Sequence, residues 1–113
     1  MNLKELGGKL ELKAVTQIFD RDVTGVYISD MVSDVIANAK AGDLLVTVQL
    51  HSNVIAAANL VDICGIVATQ GKLPTDDVVK MAEKAKITIF STGLNRWQMA
   101  TKLKVWLSCS SRK

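Results

Sequence analysis

The residues best suited to chemistry fall in three short stretches, each lying between an apolar run and a helix start. Gln49-Leu50-His51-Ser52-Asn53 holds the only histidine of the chain, while Thr69-Gln70-Gly71-Lys72 and Ser91-Thr92-Gly93-Leu94-Asn95 supply hydroxyl and amide groups. Backbone N–H groups left free at a helix start would suit an anion, and small polar side chains could orient it. The same residue types also cap helices with no ligand present, so each stretch taken alone reads first as a cap. His51 directly follows its apolar run, which places it at a rim and not in a core. As a general base it would need an orienting carboxylate, and Asp30 is the favoured partner. A hydrogen-bonded structural histidine at a helix start is the plainer reading. An anionic or nucleotide ligand is the chemistry these stretches would serve together.

Motifs that carry stronger chemistry do not occur. The chain has no GxxxxGK[ST] phosphate loop, GxGxxG fingerprint, HExxH pair or GxSxG elbow. Cys64 and Cys109 are far apart and fit no metal spacing, so neither a metal nor a cofactor is expected. Cys64 lies in an apolar run and reads as a small buried hydrophobe, whereas Cys109 in the polar tail reads as a free thiol. Unpaired cysteines of this kind suit a reducing cytoplasm. The expectation is a protein without enzyme activity of its own.

At 113 residues the chain has room for one domain, residues 1–113. A hydrophobic share of 49% excludes a disordered chain, and only 4% aromatic residues means a core of Val, Ile, Leu and Ala. No segment reaches the roughly 20 apolar residues of a membrane span, and the N-terminus lacks a signal core. The net charge of +3 is unevenly spread: after Glu83 no acidic residue occurs, while seven Lys or Arg follow. A basic last third could meet phosphate, nucleic acid or an acidic partner, though cations also suit a helix C-terminus. Nucleic acid ranks last among these, because the aromatic–basic interleaving of single-strand binders is absent.

The elements that must position the candidate residues alternate. Residues 11–15 and 26–28 are strand-like after a short helix around residues 3–6. Ser29 or Asp30 caps a helix with Met31, Val32, Val35, Ile36 and Ala39 on one face. Residues 44–50, 63–69 and 87–90 are β-branched apolar runs, read as strands buried on both faces. Between them lie a helix over residues 54–61 capped by Ser52 or Asn53, and another capped by Thr75 with Asp76 and Asp77 in its first turn. A last helix covers about residues 95–107. Strands separated by helix-length crossovers run parallel. The fold expected is α/β, a mostly parallel four- or five-stranded sheet flanked by helices. Ligands in such sheets bind beyond the carboxyl ends of the strands, where the three polar stretches fall.

Two helices carry further expectations. Residues 54–61, VIAAANLV, are apolar nearly all round. One side can meet the sheet and the other needs cover, for which a second copy of the chain is the simplest source. Val54, Ala57, Ala58 and Val61 are the interface residues this homodimer would use. On the last helix Met99, Ala100, Leu103, Trp106 and Leu107 share one side, and Trp97, at the edge of that stripe, reads first as a cap on the core and otherwise as the wall of a pocket or an interface.

Residues 20–60 also carry a combined pattern: Asp20-Arg21, Thr24-Gly25, Tyr27-x-Ser29-Asp30, Ser33-Asp34-Val35, Ala39-Lys40-x-Gly42-Asp43, and Thr47 followed by His51-x-Asn53-x-x-Ala56. This pattern resembles the DRTGG domain family, and the likeness extends over nearly the whole chain. Asp22 and Val23 separate Arg21 from Thr24, and Val26 stands where a second glycine is expected. A valine there would crowd a ligand or backbone that the glycine admits. Such domains are similar to the N-terminal domain of HPr serine kinase/phosphorylases and occur as regulatory inserts in CBS-type pyrophosphatases. The resemblance implies an α/β fold, frequent dimerisation and a regulatory role, alone or as an accessory to a partner enzyme, and it does not imply kinase chemistry. With the residue-level reading it sets the candidate ligand site as Asp30, Ser33, Thr47, His51, Asn53, Thr69, Ser91 and Thr92.

Overall fold

The computed structural model describes the backbone of residues 2–111 and side chains as far as Trp106. In chain order the elements are α1 (Leu3–Lys9), β1 (Lys13–Ala14), β2 (Gly25–Ile28), α2 (Val32–Asn38), β3 (Asp43–Thr47), α3 (Ser52–Val61), β4 (Gly65–Ala68), α4 (Asp76–Lys84), β5 (Thr88–Ser91) and α5 (Arg96–Ser111). The strands form one sheet in the order β1-β5-β4-β3-β2, with β2 to β5 parallel and β1 antiparallel to β5. The α/β fold expected from the alternating pattern is the one found, with five strands.

Strand periodicity sorts the side chains into two cores. Leu45, Ile66 and Ile89 meet Val35, Val54, Ile55, Ala58, Val78 and Ala82 of α2, α3 and α4 on one face. Leu44, Val46, Val67 and Phe90 meet Leu3, Leu6, Met99, Leu103 and Trp106 of α1 and α5 on the other. Every residue of β3, β4 and β5 is therefore buried, as their unbroken apolar runs require. Each parallel crossover leads to the adjacent strand, so α2, α3 and α4 line up on one face, as connections of a single hand demand. After β5 the chain changes face, and α5 runs across the opposite side of the sheet against β3.

This arrangement corrects the interface expected on α3. The helix lies between α2 and α4 with the sheet beneath it, so neighbouring helices supply the cover that its apolar sides need. Val54, Ala57 and Ala58 are buried inside their own chain and Val61 is half-buried, which leaves the first three no surface to offer a second copy. Only Ala56, Asn59 and Leu60 are turned outward along its middle and end. Trp97 is corrected as well. It does not cap the core but stands 79% exposed, while Trp106 fills the core position. The predicted stripe of Met99, Leu103 and Trp106 is buried; the side chains of Leu107 and Cys109 lie outside the described residues.

Helix starts depart from the expected caps. α2 begins one or two residues later than Asp30 or Ser29 would set it, with Met31 at the N-cap position, and α3 has His51 there in place of Ser52 or Asn53. Neither helix has a side-chain cap. Thr75 does occupy the N-cap position of α4, with Asp76 and Asp77 in the first turn. α5 is closed by a reciprocal pair: Gln98 N–H donates to Asn95 Oδ1 at 2.8 Å and Asn95 N–H to Gln98 Oε1 at 3.0 Å.

Candidate functional site

Asp30 escapes the capping role because it reaches sideways, from the end of β2 to the end of β3. One carboxylate oxygen accepts the Thr47 hydroxyl at 3.0 Å and the Val48 N–H at 2.8 Å. Its second oxygen pairs with Arg96 Nη1, from the first turn of α5. The bridge thus joins the two helical layers across the carboxyl edge of the sheet, because α2 and α5 leave that edge on opposite faces. Thr47 extends the network by accepting the Gln49 N–H at 3.1 Å. Its hydroxyl is buried, so Asp30 satisfies a donor that water does not reach.

An open cleft of about 560 Å³ lies over this bridge, lined by Ile28, Ser29, Asp30, Met31, Asp34 and Arg96. Ile28 and Met31 give it apolar walls, and Met31 is 63% exposed. Asp34 accepts the Tyr27 hydroxyl and the Asn38 amide, each at 2.8 Å. The hydroxyls of Ser29 and Tyr27 and that amide hold its carboxyl below the ordinary carboxylate range, so Asp34 is ionised at neutral pH. The same contact with Asp34, followed by desolvation, raises the Tyr27 hydroxyl above its usual value. One guanidinium and two carboxylates therefore face a common volume, a lining that can grip an anion and accept from hydroxyl or amine donors in one molecule. No group of three or more His, Cys, Asp or Glu able to hold a metal occurs among the described residues.

The structure brings together only part of the predicted set. Asp30 and Thr47 are directly bonded, whereas Ser33 is exposed on α2 and Asn53 is exposed on α3. His51 is exposed too, and the carboxylate expected to orient it is occupied by Thr47, Val48 and Arg96. The loops after β4 and β5 are closed upon each other: Gln70 N–H donates to the Leu94 carbonyl and Gly71 N–H to the Thr92 carbonyl, both at 2.8 Å. Ser91 Oγ donates to the Lys72 carbonyl at 2.8 Å, and Thr92 Oγ1 accepts the Leu94 N–H at 3.3 Å. Thr69 is fully buried, with its hydroxyl unpartnered. Arg96 was missed by sequence reasoning, which counted it among the basic residues of the last third. It is the first residue of α5, directly after the loop that follows β5, and nothing local to it singles it out.

Val26 does not crowd the cleft, because its side chain packs toward the α1–α5 core. The Thr24-Gly25 pair has its own reason. A Cβ on Gly25 would stand 2.5 Å from Asp43 Oδ1, and one on Gly42, at φ +85°, would collide with Thr24 Oγ1. The start of β2 and the turn before β3 thus approach too closely for larger residues, and Thr24 N–H donates to the Gly42 carbonyl across the gap.

A mostly parallel five-stranded sheet with helices on both faces and a mixed-charge cleft at its carboxyl edge defines a small α/β domain. Residues 4–105 match the DRTGG domain family, and the chain belongs to that family. No curated protein matches it in sequence. Among solved structures it is similar to the CBS and DRTGG domains of the regulatory region of Clostridium perfringens pyrophosphatase, complexed with the activator diadenosine tetraphosphate. That likeness has a TM-score of 0.70 at 16% identity and covers 88% of this chain. The chain spans 44% of the length of that structure, and at such identity the likeness concerns the fold. No helix of the described residues is long and apolar enough to cross a membrane.

Proposed function

We propose that this chain is a non-catalytic regulatory module that binds a nucleotide, or a related anionic small molecule, in the Asp30–Arg96 cleft. The observation that carries the reading is the bridge itself. Arg96 gives Asp30 only Nη1 and its side chain is 49% exposed, so the remaining donors of the guanidinium fork are open to a phosphate. Asp30 is fixed by Thr47 and Val48, so Arg96 is held at the rim before any ligand arrives. Asp30 and Asp34 accept from ribose hydroxyls or an exocyclic amine, and Ile28 and Met31 offer apolar contact to a base. The neighbouring regulatory region, crystallised with a dinucleoside polyphosphate, supports the same ligand class. Of the predicted loops, those after β4 and β5 contribute least to this site, because their polar groups bond to each other.

Calorimetric titration with ATP, AMP, diadenosine tetraphosphate and inorganic phosphate tests the reading. A nucleotide is expected to bind and to raise the melting temperature, since ligand at a hundredfold its Kd stabilises by about 2.7 kcal/mol. Arg96→Ala removes the response. Absence of binding at millimolar nucleotide refutes the site.

Homodimerisation belongs to the same proposal, now resting on surface other than the buried α3 residues. Ile36 of α2 and Leu60 of α3 are exposed on adjacent helices of one face. A light-scattering mass of one chain at micromolar concentration refutes it. Action beside a partner enzyme in the cytoplasm completes the proposal, and the unpaired, buried Cys64 supports a reducing compartment.

A further inference from the structure

The outward face of α5 carries two exposed apolar side chains, Trp97 and Val105, that the fold does not use. Steps of four residues bring Trp97, Thr101 and Val105 into line along the helix, each step advancing about 6 Å. Met99, Leu103 and Trp106 occupy the opposite, buried side. Trp97 is 79% exposed and Val105 60% exposed, an unusual position for a tryptophan in a chain with two. Lys102 and Lys104 stand exposed on the two flanks of this line. Asp30 already pairs with Arg96, but among the described residues neither lysine is in an ion pair, and α5 contains no acidic residue.

We infer that the Trp97–Thr101–Val105 stripe, with Lys102 and Lys104 beside it, docks an acidic segment of a partner protein. A tryptophan anchor with a second apolar contact two turns away matches the way interfaces concentrate binding energy, and flanking cations steer and orient an opposite charge. Charge also argues against a second copy. Two α5 stripes laid together would align four lysines along one seam with no carboxylate from either helix to pair them. A bilayer is disfavoured because Gln98, Thr101 and Lys104 interrupt the face, leaving it too narrow for an interfacial helix. Nucleic acid is disfavoured because Val105 offers nothing to a phosphate backbone and the stripe has one aromatic ring only. The inference does not rest on the cleft, whose lining includes Arg96 but neither Trp97, Val105 nor the two lysines.

The test uses the full chain and a fluorescein-labelled 16-residue helical peptide with leucines at i, i+3, i+4 and i+7 and glutamates elsewhere. Its counterpart carries glutamine in place of glutamate. Saturable anisotropy with a blue shift of tryptophan emission is expected for the acidic peptide, weakened about tenfold or more by glutamine, by Lys102→Glu with Lys104→Glu, and by Trp97→Ala. All three substituted positions are exposed, and circular dichroism verifies that the variants fold. Equal binding by the charge-reversed chain, or no saturable binding, overturns the inference. Tighter binding to phosphatidylserine vesicles or to a 20-nucleotide oligothymidine than to the peptide overturns it in favour of those partners. Trp97→Ala and the charge-reversed chain, altered only outside the cleft lining, bind nucleotide as the unsubstituted chain does, so failure of one site is distinguishable from failure of the other.

Discussion

Replacing Asp30 by alanine removes three contacts at once, and the three are unequal. The Val48 N–H and the Thr47 hydroxyl lie against the sheet, with Thr47 itself buried, and the alanine leaves both donors without their acceptor. Each hydrogen bond to a charged acceptor contributes about 1.5–3 kcal/mol, and a buried donor left unpaired costs about 1–3 kcal/mol. The Arg96 contact joins side chains 49% and 25% exposed, and exposed pairs contribute about 0–1 kcal/mol. Allowing for partial hydration of Val48, Asp30→Ala is expected to destabilise the chain by about 2–4 kcal/mol and Arg96→Ala by less than about 1 kcal/mol. In a domain of this size the first corresponds to a fall in Tm on the order of 10 °C and the second to a few degrees at most. Urea denaturation monitored by circular dichroism measures both. Thr47→Val in each background completes a double-mutant cycle, with coupling of about 1 kcal/mol or more expected for Asp30–Thr47. An Arg96→Ala variant as unstable as Asp30→Ala refutes the reasoning, because the bridge would then be a structural clamp and not a ligand-ready group.

Gly42→Ala meets a left-handed backbone and the Thr24 hydroxyl together, and is expected to cost about 1–3 kcal/mol by denaturant titration. Thr24→Ala in the same chain recovers part of that loss. Burial pushes the Cys64 thiol up to about 12, so in a Cys109→Ser chain iodoacetamide labelling at pH 8 should track unfolding and accelerate as urea is added. The sign for stability follows: the thiol's contribution is complete below the unfolded value near 9 and is lost as pH rises toward 12. Asp34 runs the other way. Its lowered pKa gives stability above the ordinary carboxylate value that is lost as pH falls through the folded one, so Asp34→Asn flattens the acid limb of a pH–stability curve.

Strand content was legible because burial on both faces leaves little choice of residue: β3, β4 and β5 have short apolar centres, residues 44–46, 66–68 and 89–90, with only small or hydroxyl residues and one aspartate at their ends. The crossover lengths then dictate parallel pairing. Helix starts were less legible, since Asp30 and Ser29 have the composition of caps and only the packed structure shows Asp30 committed to the next strand. The α3 interface failed for a related reason. Periodicity says that all sides of a helix are apolar, but not whether a second copy or the neighbouring α2 and α4 cover them. Trp97 failed because an angle at the edge of a stripe is compatible with either side of it. His51 and Asp30 share an edge of the sheet, yet a residue 66 positions away, Arg96, takes the carboxylate. Such a contact between the first crossover and the helix after the last strand has no local signature.

The family pattern is divided by β2, about 10 Å of strand: Ser29, Asp30 and Asp34 line the cleft at the carboxyl edge, whereas Asp20, Arg21, Thr24 and Gly25 lie at the amino edge. Asp20 accepts the Lys4 N–H at 3.2 Å, which anchors the first turn of α1. Arg21 donates from Nη1 to Asp62 Oδ1 at 3.0 Å and to the Ile63 carbonyl at 3.1 Å, where α3 ends in a left-handed residue. Thr24 and Gly25 fit against Gly42 and Asp43. Together these contacts tie α1, the end of α3, the start of β2 and the turn before β3 at the amino edge, so this first part of the pattern marks how the fold is closed. Arg21→Ala is therefore expected to lower stability by about 1–3 kcal/mol, chiefly through the carbonyl contact, because the ion pair with Asp62 is largely exposed. It should leave nucleotide affinity at the cleft unchanged within about twofold under conditions where the chain stays folded. Arg96→Ala should do the reverse, losing affinity with little loss of stability. If Arg21→Ala weakens nucleotide binding in the folded chain while Arg96→Ala does not, the amino edge binds the ligand and the site assigned to the carboxyl edge is wrong.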